Sequence, residues 1–178
     1  MRKKDEVFII VKNDFLLSTY AKSLLEEGKE HSDTSWTVRL LAKLLISIRE
    51  VSNCESYSWM ALIITEHWNE IIHGVKTLSE FTFSESGIIV EKPNIALKCC
   101  QGIKGLIAAA EGIALRQNDD VLLKKIEKMF KMYDGEWAKI SKHCNNSIRT
   151  KKEDQVELLP LTSDITKLKE KTVTEIKS

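Results

Sequence analysis

Apolar residues recur along this chain at spacings of three and four, a pattern that predicts helices almost throughout. The pattern is clearest in the long stretch 118–149. At about 100° of rotation per residue, its apolar side chains project along one stripe: Leu122, Ile126, Met129, Tyr133, Trp137, Ile140, Cys144 and Ile148. The sequence therefore predicts one long helix here, with one face packed into a core.

The opposite face of this predicted helix is almost entirely basic. Its members are Lys124, Lys128, Lys131, Lys139, Lys142 and Arg149. Between positions 121 and 152, nine Lys and Arg residues stand against three acids, although the whole chain has a net charge of only +1. Positive charge is therefore concentrated in residues 121–152, and this basic face is the main candidate for a functional surface.

The same spacing predicts further helices over residues 6–27, 34–51, 57–63, 66–80 and 93–117. Gly28 is suited to end the first of these helices. Asp33 or Thr34 can cap the second, Thr65 can cap the fourth, and Pro93 suits the first turn of the fifth. We expect the first helix to bury Phe8 and Phe15, and the second to bury Trp36, because these residues fall on the apolar faces.

The stretch 81–92, FTFSESGIIVEK, loses the helical period. Its apolar residues could form a short strand, but a lone two-stranded hairpin is only marginally stable. We therefore predict a loop here.

Small residues form a ridge in the helix predicted over 93–117, at Gly102, Gly105, Ala109 and Gly112. Such a ridge allows a neighbouring helix to approach closely, and the basic helix is a candidate for that neighbour. Gly102 to Gly105 also resembles the GxxG loop of KH RNA-binding modules, but helical spacing on both sides favours packing. Asn118 and Asp119 then break the chain, so these two helices should form a hairpin.

These elements predict an all-α protein, a single domain of five to six helices around a central helical hairpin. We place the helical bundle at residues 1–152, and a hinge with a C-terminal helix at residues 153–178. Thr162 or Ser163 can cap that final helix. Only two prolines and seven glycines among 178 residues agree with a helical fold.

The candidates for metal binding and catalysis are weak. Glu70 and His73 have the spacing found in di-iron bundles, but a second such motif is missing from the sequence. His67 does not share a helical face with His73. Cys54, Cys99, Cys100 and Cys144 are expected to be reduced core thiols. We predict no catalytic residue, no metal and no cofactor.

Neither a membrane nor a secretory role is expected. No apolar run reaches the length of a membrane span, and the apolar run near the amino end is too short and too charged for a signal peptide. The sequence therefore predicts a nuclear or cytoplasmic protein.

The basic face admits two interpretations. Lysines on one face of a long helix can contact several phosphates of duplex DNA, and such binding depends on salt rather than on base sequence. Lysine-rich outer faces are also common on helices that merely face solvent. Few arginines are available for bidentate phosphate recognition, and Glu127 and Asp134 lie beside the stripe.

Several segments resemble a family of metazoan proteins derived from mobile elements. The segments are VRLLAKLLISIRE, NIALKCC, GIALRQNDDVLLKKIEKMFKMYDGEWAKISKH, and RTKK followed by LLPLTSDITKLKE. In that family, a helical region precedes a domain similar to the catalytic domain of tyrosine (phage-integrase-like) recombinases. The resemblance covers roughly residues 14–170.

The resemblance implies a DNA-binding, core-binding-like helical domain without the catalytic domain. We expect the catalytic arginine and tyrosine to belong to that further domain, so no catalytic position transfers to this chain and Tyr133 is not a nucleophile. One departure from the family pattern stands at Lys151, Lys152 and Glu153, where an acid replaces an aromatic residue. The resulting hypothesis is a non-catalytic domain that binds duplex DNA. The alternative is a helical module that binds a protein partner or a second copy of itself.

Overall fold

The structure, a computed structural model, describes residues 3–64, 67–85 and 87–153. Its helices are α1 (Lys3–Asn13), α2 (Phe15–Glu26), α3 (His31–Ser52), α4 (Trp59–Ile64), α5 (Trp68–Leu78), α6 (Pro93–Gln117) and α7 (Asp120–Glu153), and its strands are β1 (Phe81–Ser84) and β2 (Gly87–Val90). The predicted all-α class is confirmed. Seven helices occur in the described ranges rather than five or six, in part because the first predicted helix is divided.

The division lies at Asp14, between α1 and α2. Asp14 has extended backbone angles, and its Oδ1 accepts a hydrogen bond from the Leu17 N–H at 2.9 Å. Its Oδ2 accepts a second one from the Trp59 N–H of α4, also at 2.9 Å. One buried carboxylate therefore caps α2 and holds the start of α4. The prediction of a continuous helix over 6–27 was wrong because local spacing cannot reveal a partner 45 positions away.

The break also changes which aromatic residues are buried. Phe8 is 67% exposed and Phe15 is 65% exposed, so their expected burial was wrong. Since the chain leaves helical geometry at Asp14, the apolar stripe of a continuous helix does not pass from α1 to α2. Trp36 is 47% exposed as well, because it lies at the rim of a concavity between the ends of α2 and α3 and the side of α6.

The predicted loop over 81–92 is also wrong, since β1 and β2 pair there as an antiparallel hairpin from Phe81↔Val90 to Ser84↔Gly87. The hairpin is anchored to the rest of the fold at its base. Val90 is fully buried, and its N–H donates to Ser147 Oγ of α7 at 2.9 Å. Contacts from α7 thus supply stability that an isolated hairpin lacks.

The core is organised around α3, which packs against α1, α2, α5 and α6. Leu41, Leu44, Leu45 and Ile48 of α3 have no exposed surface. Gly74 lets α5 lie close to this helix, because a Cβ there would be only 2.5 Å from Ile48 Cγ1. The amphipathic pattern of α3 is confirmed apart from its exposed tryptophan.

The small-residue ridge of α6 faces α2 and α3, not the basic helix. A Cβ on Gly105 would lie 2.3 Å from the Tyr20 ring of α2, and one on Gly102 would lie 2.8 Å from Leu41 of α3. At Gly112 the nearest atom, 3.5 Å away, belongs to Arg116 of the same helix. Gly102 and Gly105 therefore serve helix packing, as predicted, whereas Gly112 meets no other helix, and the expected neighbour was wrong.

The predicted helical hairpin of α6 and α7 is confirmed. Asn118 adopts a left-handed conformation with φ of 49° and ends α6, and Asp119 Oδ1 accepts the Leu122 N–H at 2.9 Å. Further along, the Tyr133 hydroxyl donates to the Cys100 carbonyl of α6 at 3.2 Å. Antiparallel α6 and α7 therefore remain in contact well beyond the turn.

The chain divides into two compact units, Met1–Ser147 and Ile148–Ser178. In the second unit, the described residues are those of the last turns of α7. The predicted caps at Thr65, Thr162 and Ser163, and the predicted C-terminal helix, lie outside the described residues. In the ranges that are described, no helix is long and apolar enough to cross a membrane.

Candidate nucleic-acid interface

The apolar face of α7 is buried, as its spacing predicts. Ile126, Met129, Ile140 and Cys144 are at most 4% exposed. Tyr133 stacks on Trp137 of the same face, with ring centroids 6.0 Å apart, and meets Trp68 of α5 edge-on at 5.9 Å. Leu122, Trp137 and Ile148 are half-buried. These contacts fix the rotation of α7 about its axis, so its opposite side must face outward.

All six predicted basic side chains are exposed. Lys124, Lys128, Lys131, Lys139 and Lys142 belong to the first unit, and Arg149 lies in the second. At 100° per residue the five lysines fall within an arc of about 80°, and at 1.5 Å per residue they span about 27 Å of helix. We call these five lysines the basic face; they form a narrow row rather than a diffuse patch.

Acidic residues border the basic face. Glu136 Oε1 forms an ion pair with Lys139 Nζ at 2.7 Å, and the two side chains are 46% and 68% exposed. An ion pair this open contributes little, about 0–1 kcal/mol, because solvent screens it. Lys139 can therefore exchange this carboxylate for a phosphate at small cost.

A shallow groove of about 420 Å³ adjoins the basic face between α6 and α7. Lys131 lies at its edge beside Glu127 and Glu111, while Phe130 and Ile107 supply apolar surface. The sequence did not indicate this groove, because spacing alone does not show that Phe130, which stacks on Tyr133 at the edge of the apolar stripe, is 39% exposed. Its two carboxylates make this edge of α7 less attractive to an anion than the row of lysines itself.

The three buried thiols offer no activated nucleophile. Cys99, Cys100 and Cys144 have no exposed surface. Burial raises the pKa of Cys99 to about 12 and that of Cys144 to about 11, and it raises the pKa of Cys100 further, with Cys99 and Cys144 as neighbours. Because the thiolate is the reactive form, these groups are inert near neutral pH. Cys54 differs from its expected place in the core, since it is half-buried beside Ser56, with Sγ 3.3 Å from Oγ.

The histidine geometry differs from the spacing that suggested a metal site. Glu70 pairs with His67, at 3.1 Å between Oε1 and Nδ1, while His73 is exposed. The Tyr57 hydroxyl lies 3.5 Å from the same His67 nitrogen. Sequence spacing missed this cluster because Tyr57 precedes α4 and His67 follows it. Across the described ranges, no group of three or more His, Cys, Asp or Glu side chains could hold a metal ion.

Comparison with protein-family models, curated proteins and solved structures finds no match for this chain. The resemblance to recombinase-associated helical regions therefore stays a prediction. The exposed lysines of α7 and its buried apolar face are the features that bear most directly on function.

Proposed function

We propose that this protein is a non-catalytic, DNA-binding helical domain of the kind implied by its resemblance to recombinase-type mobile-element proteins. The basic face of α7 would contact the phosphate backbone of duplex DNA, with Arg149 as a further predicted contact. One observation carries the proposal: five exposed lysines lie in a single row on a helix whose other side is fixed in the core.

The row of lysines favours backbone contact over base recognition. Lysine presents a point charge and lacks the rigid fork with which arginine binds two acceptors at once. Contacts to phosphates position a protein on DNA without reading its sequence. We therefore expect little sequence preference, and dissociation constants of about 10⁻⁴ to 10⁻⁶ M at physiological salt.

The non-catalytic part of the proposal is supported by the chemistry of the three buried thiols and of Tyr133. The three buried thiols stay protonated near neutral pH, and Tyr133 is committed to a hydrogen bond with a backbone carbonyl of α6. Burial also raises the pKa of Tyr133 to about 12, which opposes formation of a phenolate.

The test is binding of a fluorescently labelled duplex of about 20 base pairs, followed by anisotropy at about 50 mM salt. Lys128→Glu with Lys139→Glu should weaken binding by at least about tenfold, since two phosphate contacts become repulsive. Lys43→Glu with Lys76→Glu, at exposed positions on α3 and α5, changes the net charge equally and is the matched control.

The control variant should bind within about threefold of the wild type, because distant exposed charges are largely screened. Equal losses in the two double variants would show that net charge, not the basic face, determines binding. Absence of binding by the wild-type protein at low salt would refute the proposal.

A second candidate, self-association, is favoured by the exposed apolar side chains around the break between α1 and α2. Phe8 and Phe15 each expose about two-thirds of their surface, and Ile9 is 41% exposed. Exposed large apolar side chains can mark an interaction site, and these three lie within eight positions of the sequence. Sedimentation equilibrium would test it: Phe8→Ser with Phe15→Ser should weaken a wild-type dimer, and a monomeric wild type would exclude this candidate.

A further inference from the structure

Gly135 is a glycine for which the fold of the protein gives no reason. Gly28 and Gly87 have positive φ angles of 81° and 123°, and Gly74 allows close contact between helices. At Gly135, in contrast, the backbone is helical and an added Cβ would meet nothing within 4 Å. Glycine inside a helix costs about 1 kcal/mol relative to alanine. Here that cost brings no gain in packing or turn geometry.

Gly135 lies in the middle of the basic face. Counted at 100° per residue, it falls within the same arc as the five lysines. Lys124, Lys128 and Lys131 precede it, while Lys139 and Lys142 follow it. Between Lys131 and Lys139 the helix rises about 12 Å, and Gly135 is the residue of this stretch that falls inside the lysine arc. The exposed Ala138 and the half-buried Met132 lie about 20° outside its two borders.

The basic face therefore has the profile of a saddle. Long ammonium-bearing side chains stand at both ends, and the bare helix backbone forms the low centre. Glycine is favoured where a ligand or another backbone must come close to a protein backbone. A row of phosphate groups that crosses α7 could approach the helix backbone at Gly135 and be contacted by lysines on both sides.

We propose that one phosphodiester strand of duplex DNA crosses α7 at Gly135, with Lys131 and Lys139 contacting phosphates on opposite sides of the crossing. This inference rests on the proposed DNA-binding function and adds the position and direction of contact. Between residues 124 and 142, no aromatic side chain lies within the lysine arc, so stacked bases of a single strand would find no platform there. The charge and shape of the face instead suit a phosphate ridge.

Gly135→Leu tests the crossing directly. The substitution adds bulk at the saddle and leaves all five lysines in place, and leucine favours helix more than glycine does, so folding should be preserved. We expect duplex affinity to fall on the order of tenfold at about 50 mM salt, because the strand can no longer approach the lysines on both sides. Gly135→Ala, which adds one carbon, should bind within about threefold of the wild type.

Ala108→Leu, at an exposed position on α6, is the control for added apolar bulk, and it should leave affinity unchanged. If Gly135→Leu binds as tightly as the wild type while Lys128→Glu with Lys139→Glu does not, the crossing is refuted and the DNA-binding proposal stands. If the wild type binds no duplex, both proposals fail. If Ala108→Leu and Gly135→Leu reduce affinity equally, the effect is not local to the saddle, and the crossing is again refuted.

Discussion

Replacing Asp14 with alanine should destabilise the protein far more than the loss of an ordinary helix cap. Asp14 is 8% exposed, and its carboxylate accepts hydrogen bonds from two backbone N–H groups, of Leu17 in α2 and of Trp59 in α4, each at 2.9 Å. The alanine variant removes both acceptors at once. It should weaken the junction between α2 and α4 as well as the start of α2.

The size of the effect follows from those two bonds. Loss of the cap interaction costs about 1 kcal/mol. A donor left buried without a partner costs about 1–3 kcal/mol more, and the Trp59 residue has no exposed surface through which water could replace the carboxylate. We therefore expect a loss of about 3 kcal/mol in the free energy of unfolding, a large share of the total for a domain of this size.

Asp119→Ala is the matched control, because Asp119 also accepts one N–H three residues ahead at 2.9 Å but is exposed at the start of α7. It should cost about 1 kcal/mol. Urea unfolding followed by circular dichroism measures both values. The slope of the free energy of unfolding against urea concentration should equal that of the wild type if the substitutions leave the folded and unfolded states equally compact. Equal losses in the two variants would refute the assigned role of the bond from Asp14 to α4.

Three further predictions follow from the packing. Gly74→Ala should lower the free energy of unfolding by about 1–3 kcal/mol because α3 leaves no room for the methyl group, whereas Gly135→Ala should raise it by about 1 kcal/mol; urea unfolding compares them. Ser147→Ala should cost about 1–3 kcal/mol, since it leaves a buried hairpin N–H without an acceptor, and hydrogen exchange should accelerate at that amide. In native protein near pH 8, an alkylating reagent should modify Cys54 before Cys144, whose pKa is raised to about 11. Because a cysteine thiol in the unfolded chain keeps its ordinary pKa of 9.0, the free energy of unfolding should also fall as the pH rises from about 9 to 11.

The features that the sequence predicted well depend on local spacing. The two faces of α7 could be assigned because rotation per residue is fixed within a helix, and the burial of Met129 and the exposure of Lys128 follow from it. The predictions that were wrong depend on distant partners. The Asp14 break involves α4, and the hairpin at 81–90 is held by Ser147, 57 positions after Val90.

In the candidate interface, too, features set by local spacing were predicted and features set by distant partners were not. Its lysines could be identified from charge and periodicity alone. The packing of the small-residue ridge against Tyr20 and Leu41 could not, because several helices were equally able to accept a surface of small residues. Once those contacts account for Gly102 and Gly105, Gly112 and Gly135 remain as helical glycines without a close packing partner, and of these two Gly135 lies on the basic face.

The most direct test of the central claim is the dependence of duplex affinity on salt concentration. The five lysines of the basic face, counted without Arg149, predict that the logarithm of the association constant falls against the logarithm of salt concentration with a slope of about −4.5, so affinity should drop roughly 500-fold between about 50 and 200 mM salt. Lys128→Glu with Lys139→Glu should bring the slope to about −2.7. A wild-type slope near zero, or a slope unchanged in this variant, would contradict the assignment of the α7 basic face as a DNA-binding surface.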